Sequence, residues 1–425
     1  MNGMTTHDVL VVGGGPAGSS TATWLARAGL RVALFERERF PRFHVGESLI
    51  PATLPILDRL GVLSAVAQGG FITKYGAVFT DQEMDLEHTF YFLRDRPWPH
   101  YSYQVPRAQF DALLLDHARA SGVVVRQPSL VESVSLDESG VTLTGESEDD
   151  GRFAARGAFL VDASGRDGFL ATRVGRRDRV PNLGKVALYA HFHGAHRAPG
   201  IDEGHIRIHV FEDGWFWWIP FAGDLTSIGC VMHARTVRGR EGNLEDLFDD
   251  MVRKCWRVQK GLEHAERVTP LHREANFAYV NRPMAGDRHL AVGDAVALVD
   301  PIFSGGVHIA LASGELAARA IVRAFADGRF TVGRFRTYER QVWDGITPFF
   351  RFIHKYYEPA FLELLLKPRN YFGMRDAVLS VLAGGAFFGM SGRTRRSLNL
   401  LFALTRLKVW ARRLAGQPAE SRLEW

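Results

Sequence analysis

The feature that most restricts this chain is a glycine-rich run, Gly13-Gly14-Gly15-Pro16-Ala17-Gly18, set between two apolar segments. Before it, Asp8-Val9-Leu10-Val11-Val12 is a short β-branched stretch of the kind found in a buried parallel strand. After it, Ser19 to Ala28 reads as a helix stopped by Gly29, and Arg31 to Phe35 as a second strand closed by Glu36. Gly13, Gly15 and Gly18 satisfy GxGxxG. The first permits the tight turn, the second lets backbone approach a pyrophosphate, and the third lets helix and strand pack closely. The pyrophosphate rests on the N–H groups and positive dipole end where Pro16 and Ala17 lead into the helix. Glu36 is placed to accept hydrogen bonds from a ribose diol. Spacing alone does not separate FAD from NAD.

The remaining arithmetic excludes several classes. A chain of 425 residues that is 46% hydrophobic and 23% charged is globular rather than disordered, with two or three lobes. A net charge of +5 does not point to nucleic acid. Cys230 and Cys255 have neither CxxC nor Cys/His spacing, so neither a disulfide framework nor a metal site is expected, and a reducing, cytoplasmic setting is. The polar start Met1 to Asp8 is not a secretory signal. No run of 18 apolar residues suggests integral membrane association.

A second constellation lies about 275 residues after the first. Leu290-Ala291-Val292 reads as a short strand ended by Gly293-Asp294, whose carboxylate can bind a ribityl hydroxyl. Asp300-Pro301 starts a turn, and Ser304-Gly305-Gly306 opens a helix through Ala318 with backbone N–H groups suited to an anion or carbonyl. This pattern resembles the second FAD fingerprint of the glutathione-reductase-type flavoprotein fold. Arg107-Ala108-Gln109-Phe110-Asp111 and Phe159-Leu160-Val161-Asp162-Ala163-Ser164-Gly165-Arg166 are similar to two further segments of that class. The four matches span residues 8–318 and imply FAD. No second strand–GxGxxG–helix unit is present: Gly384-Gly385 to Gly389 lies in a helical tail. The flavin is therefore expected to be reduced by a separate flavin reductase, or by transient NAD(P)H contact.

Phe40-Pro41-Arg42-Phe43-His44-Val45-Gly46-Glu47-Ser48-Leu49 resembles a segment of flavin-dependent halogenases and geranylgeranyl-reductase-like flavoproteins, which implies Arg42 and Ser48 near the flavin. Residues 214–220 read Gly-Trp-Phe-Trp-Trp-Ile-Pro. Alternation puts Trp215 and Trp217 on one face of a strand and Phe216 and Trp218 on the other. Trp215, Trp217, Ile219 and Pro220 resemble the WxWxIP signature of the halogenases. The resemblance implies an indole barrier that keeps an organic substrate from the flavin while halide and hypohalous acid pass. Lys74, with Gly76 and Phe79 in a K-x-G-x-x-F pattern, resembles the segment carrying the halogenase catalytic lysine. Hypohalous acid has to be held and aimed: an ammonium donates a hydrogen bond to it, a neutral amine forms a chloramine, and burial favours the second form. One departure concerns the flavin helix. Halogenases of phenols and pyrroles commonly carry two serines before Gly-Val-His, whereas this chain has Ser304-Gly305-Gly306-Val307-His308. The backbone donors that hold halide survive that change. Phe303 stands where tryptophan-type halogenases carry an acid, which disfavours free tryptophan.

The resemblance as a whole implies an α/β flavoprotein of the glutathione-reductase type, with an inserted antiparallel-sheet substrate domain and a helical C-terminal region. The expected boundaries are 1–75, 101–170 and 285–330 for FAD, 76–100 and 171–284 for substrate, and 331–425 for the cap. The implied activity is an oxidoreductase of natural-product and antibiotic biosynthesis. It uses reduced FAD, O2 and chloride or bromide to halogenate a phenol or pyrrole, free or tethered to an acyl or peptidyl carrier protein. Lys74, Trp215 and Trp217 would be catalytic; Arg42, Ser48, Arg107, Asp294, Pro301, Gly305 and Gly306 would join Gly13, Gly15, Pro16, Ala17, Gly18 and Glu36 around FAD; Ser304, Gly305 and Gly306 would bind halide. A hydroxylating flavin monooxygenase, a geranylgeranyl-type reductase and an idle FAD-binding protein are the alternatives. The basic end, with Arg393, Arg395, Arg396, Arg406, Lys408, Arg412 and Arg413, is a solvated face, a dock for an acidic carrier or a membrane-surface helix.

Overall fold

The computed structural model describes residues 5–94, 98–180, 184–238, 242–275, 277–298, 300–367, 371–388 and 390–416. The glycine run sits where it was expected, between the strand Thr5–Val12 and the helix Pro16–Arg27. The helix begins three residues earlier than Ser19, because Pro16 is preset for the first helical position, where its missing N–H costs nothing. Thr5–Val12 is the middle of a mainly parallel sheet. It pairs with Val32–Phe35 on one side and Gly151–Asp162 on the other, and the sheet continues outward to Val124–Arg126 and His289–Ala291. The helix Gly306–Asp327 runs nine residues past Ala318, until Gly328 ends it in the left-handed region at φ 61°. Its alanine-rich face packs with Pro16–Arg27 and the sheet in one apolar core.

A second eight-stranded sheet holds the aromatic strand. Gly214–Pro220 lies between Ile206–Phe211 and Thr226–His233. Lys185–His193 pairs beyond Thr226–His233, and Gly76–Asp81 joins on the far side. The expected alternation is observed. Trp215 and Trp217 face a core shared with the C-terminal helices, whereas Phe216 and Trp218 face Leu247, Phe248 and Met251 of the helix Leu244–Lys254. Gly229 is required opposite Trp217, since a Cβ there would meet the indole at 2.3 Å and Tyr189 Cβ at 2.5 Å. The segment that carries Lys74, Gly76 and Phe79 is divided between two strands. Ile72–Lys74 pairs with Ser102–Gln104 in a separate ribbon, and Gly76–Asp81 enters the large sheet. After residue 331 the described chain is helical, with Arg336–Tyr356 the segment that closes over the sheet.

Gly18 tests the account of the first turn. A Cβ there would lie 1.9 Å from the Gly13 carbonyl oxygen and 3.1 Å from Ala163 Cβ, and neither can swing away. Gly18→Ala is expected to lower the urea-unfolding free energy by about 2 kcal/mol. Gly306→Ala, with nothing within 4 Å of the added carbon, should stay within about 0.5 kcal/mol.

Candidate active site

A cavity of about 1030 Å³ runs from the glycine turn to the aromatic face of the large sheet. It is at the upper end of the range for ligand pockets, which suits a dinucleotide with further space beyond it. Gly13, Gly15, Pro16, Ala17 and Glu36 line its first end. Glu36 is fixed on both carboxylate oxygens by backbone: Gly14 N–H donates to Oε2 at 2.6 Å and Glu38 N–H to Oε1 at 2.8 Å. Gly13 takes φ 104°, and a Cβ there would collide with the Ala163 carbonyl at 2.3 Å. At Gly15 the nearest atom to an added Cβ is Arg42 Nη2 at 3.7 Å, so the backbone stands open to the cavity. Gly18 does not line the cavity; it is the packing glycine of the turn.

The middle of the cavity is lined with charge. Asp111, fully buried, accepts from Arg107 Nε at 2.7 Å, Arg107 Nη2 at 2.8 Å and Arg42 Nη1 at 3.2 Å. Arg107 also donates to the Val45 carbonyl at 2.8 Å, which ties the helix start to the 42–48 segment. Asp294 faces the same space. Burial lifts its carboxyl to about 6, while the charges of Arg107 and Arg166 act in the opposite direction. Cradle, charge and volume fit FAD.

Beyond Asp294, the Asp300 side chain accepts from Ile302 N–H at 3.1 Å and starts the turn Pro301–Phe303. Ser304 follows at φ 56°, and the helix opens at Gly306. The leading N–H groups of any helix lack partners within it. Pro301, Ser304, Gly305 and Gly306 all line the cavity here. Gly305 has ordinary helical angles, so its glycine is not demanded by backbone; an added Cβ would instead press to 3.2 Å on the ring of Phe349, in the cap. Trp215 and Trp217 face the same space from the sheet, 6.2 Å apart at their centroids. Trp217 donates its indole N–H to Ser227 at 3.1 Å, and Trp215 to the Tyr357 hydroxyl at 3.2 Å. Tyr357 in turn donates to Asp300, and Lys185 lies 4.5 Å above its ring.

Lys74 ends the strand Ile72–Lys74 and is 2% exposed. Its ammonium nitrogen donates to Ser48 Oγ at 2.8 Å and the Leu49 carbonyl at 3.0 Å. Burial lowers its pKa to about 7. Ser48 lines the cavity, whereas Lys74 stands one layer behind it. All the other sequence-derived residues, Gly18 apart, are on the cavity wall. Sequence reasoning missed Phe43, Glu47, Tyr189 and His272 on the wall, and Tyr357 behind it. Their only signal was position: Phe43 and Glu47 fall inside the 40–49 segment, and Tyr189 alternates with His191 on an otherwise apolar strand.

The family described as "FAD binding domain" matches residues 6–341. A 1H-pyrrole-2-carbonyl-[peptidyl-carrier protein] chlorinase of Pseudomonas fluorescens is 31% identical over 408 residues, covering 90% of each chain. The chain belongs to the flavin-dependent halogenases. The solved flavin-dependent brominase Bmp2 superposes with a TM-score of 0.84 at 27% identity, covering 95% of this chain and all of the other. The myxobacterial chondrochloren halogenase CndH does so with 0.79 at 30% identity, covering 94% and 97%. This halogenase thus has the expected FAD-binding α/β fold with sheet and helical additions, and it uses FAD, oxygen and halide. Among the described residues no helix is long and apolar enough to cross a membrane.

Two substitutions test this geometry without turnover. Lys74 has a folded pKa below its value of 10.5 in the unfolded chain. Its burial therefore costs most where both states are charged, at pH 7 and below, and the cost fades as pH rises toward 10.5. Lys74→Met is expected to raise the thermal midpoint most at acidic to neutral pH, with the gain shrinking on alkaline titration. Tyr357→Phe leaves Trp215 Nε1 and one Asp300 oxygen without their shared partner, and should lower the unfolding free energy by about 1–3 kcal/mol in denaturant titration.

Proposed function

We propose that this halogenase chlorinates or brominates an electron-rich phenol or pyrrole, with Lys74 delivering the halogen. One observation carries the reading: the flavin-helix start, the Trp215–Trp217 pair and the Lys74–Ser48 pair converge on one cavity. Bound reduced FAD supplies, with oxygen and halide, the hypohalous acid that the protein then handles. The amides of Gly305 and Gly306, with Ser304, hold the halide at the helix N-terminus. The two indoles fill the cross-section between that point and the sheet, so a small neutral acid passes and a ring does not. Ser48 meets the acid at the wall, and Lys74 behind it accepts the halogen as a neutral amine or steers the acid as an ammonium. Burial favours the amine, whose fraction grows above about pH 7.

The substrate is proposed to arrive on a carrier protein, a reading supported by the activity of the Pseudomonas relative on a carrier-bound pyrrole. The dock is the helix Gly392–Leu414, which exposes Arg393, Arg395 and Arg396 in its first turn and Leu407 and Trp410 in its last turns. The basic end is not uniformly available: Lys408 and Arg412 are both paired with Glu363 at 2.8 Å. A separate reductase is proposed to supply reduced flavin, and two buried free thiols, Cys230 and Cys255, suit a cytoplasmic setting.

The test supplies reduced FAD, oxygen and chloride or bromide, and screens phenols and carrier-bound pyrroles by mass. Halogenated product is expected, lost at least 100-fold in Lys74→Ala, with the wild-type rate falling as pH drops below about 7. A hydroxylated product indifferent to halide sinks the proposal. Charge reversal at Arg395 and Arg396 should slow turnover of the tethered substrate alone.

A further inference from the structure

One stretch of the cavity wall carries polar groups that neither the flavin end nor the Lys74–Ser48 pair uses. In the segment after Gly46, consecutive side chains diverge. Ser48 turns to Lys74, and Glu47 turns to the large sheet, where His191 Nε2 lies 2.7 Å from Glu47 Oε1. Glu47 is 1% exposed and lines the cavity. Its other oxygen, Oε2, has no hydrogen-bond partner among the described residues. A buried carboxylate oxygen without a donor is costly, and native structures seldom leave one so unless a ligand or water completes it.

The surroundings select the ligand. His272 stacks on Phe43 at 4.1 Å and 10°, and on Tyr189 at 5.4 Å and 22°, which makes an aromatic stack beside the carboxylate. Tyr189 lies 5.5 Å from Trp217, so this wall continues the indole barrier. The titratable groups facing Glu47 are His191, Tyr189 and His272 from the sheet and Arg107 from the helix. Burial, reinforced by the Glu47 charge, pushes the Tyr189 phenol up to about 12, so it stays neutral. Burial likewise lowers His272. A planar ring with one acidic O–H or N–H suits this lobe: the ring packs against the aromatic stack and its hydrogen supplies the donor that Oε2 lacks.

We propose that Glu47 accepts the phenolic O–H or pyrrole N–H of the substrate, with His191 as the positioning residue that holds the carboxylate. The assignment rests on the halogenase reading above. For a phenol, the ring carbon forms its bond to the halogen as the oxygen–halogen bond breaks and hydroxide leaves. The phenolic proton passes to Glu47, which leaves a ring ketone. The C–H proton is then lost to hydroxide, giving water, and Glu47 returns its proton to the oxygen. The ring is oxidised by two electrons and the halogen reduced by two.

Binding tests this without halide or oxygen. 4-Nitrophenol is the probe, because it ionises near neutral pH and its bound amount can be read by equilibrium dialysis against FAD-loaded enzyme. Wild type should bind the neutral phenol about tenfold more tightly than the phenolate, since only the first donates to a carboxylate. In Glu47→Gln, affinity for the phenol should fall about tenfold and the discrimination should vanish. Glu47→Asp, which keeps the charge, should retain the preference, and His191→Asn should weaken it. Absence of probe binding to wild type overturns the proposal. So does an unchanged pH profile in Glu47→Gln, or loss of the preference in a Glu47→Asp variant that still holds FAD. Phenol-selective binding alongside a failure to halogenate would count against the function and leave this contact standing.

Discussion

One buried carboxylate joins the three parts of this molecule. Asp300 belongs to the nucleotide fold, where it caps the turn that delivers Ser304, Gly305 and Gly306 to the cavity. Through Tyr357 it reaches the helical cap, and through Tyr357 again it reaches the indole of Trp215 on the large sheet. Burial raises the Asp300 carboxyl, whereas the Tyr357 hydroxyl and the Lys185 charge act against that rise. The contacts of this buried acid tie the helix N-terminus, the cap and the Trp215 indole to one shared set of partners.

The cap contributes more than cover. Phe349 occupies the volume that a side chain at position 305 would need, so the glycine found there and the aromatic cap are two sides of one packing solution. A serine at that position would press on the ring, and the cap would have to shift by a few tenths of an ångström. The same helix supplies Ile346, Phe350 and Ile353 to the cavity wall, which makes it less polar at that end. Low polarity there strengthens each remaining electrostatic contact, including that of the amides with an anion.

The nucleotide half was legible because its constraints are local. A tight turn, a close helix–strand approach and a backbone open to phosphate each require glycine at a fixed spacing: an added Cβ would strike the Ala163 carbonyl at Gly13 and the Gly13 carbonyl at Gly18, while Gly15 stands open to the cavity. The alternation of Trp215 to Trp218 was legible for the same reason: the pleat fixes it. Helix ends were less so. Ala318 looked terminal by composition, but the helix continues to Asp327 because tertiary packing, rather than a cap, sustains it. What could not be read was contact between distant segments. Nothing near Glu47 in sequence announces His191, 144 positions on, and nothing near Trp215 announces Tyr357. Such pairs exist only once two sheets and a cap have been placed.

Lys74 shows how placement changes a reading that motif alone suggests. By motif alone Lys74, Gly76 and Phe79 read as one continuous segment. Instead the strand of Lys74 leaves the large sheet at Tyr75 and pairs with Ser102–Gln104, which sets the amine behind Ser48. Two consequences follow. The amine is desolvated enough to sit near neutrality, which a cavity-lining lysine open to water would not be. And the hydroxyl of Ser48, which lines the cavity, stands between the amine and that space. Two consecutive side chains thus take partners on different sheets, Ser48 on the short ribbon and Glu47 on the large sheet.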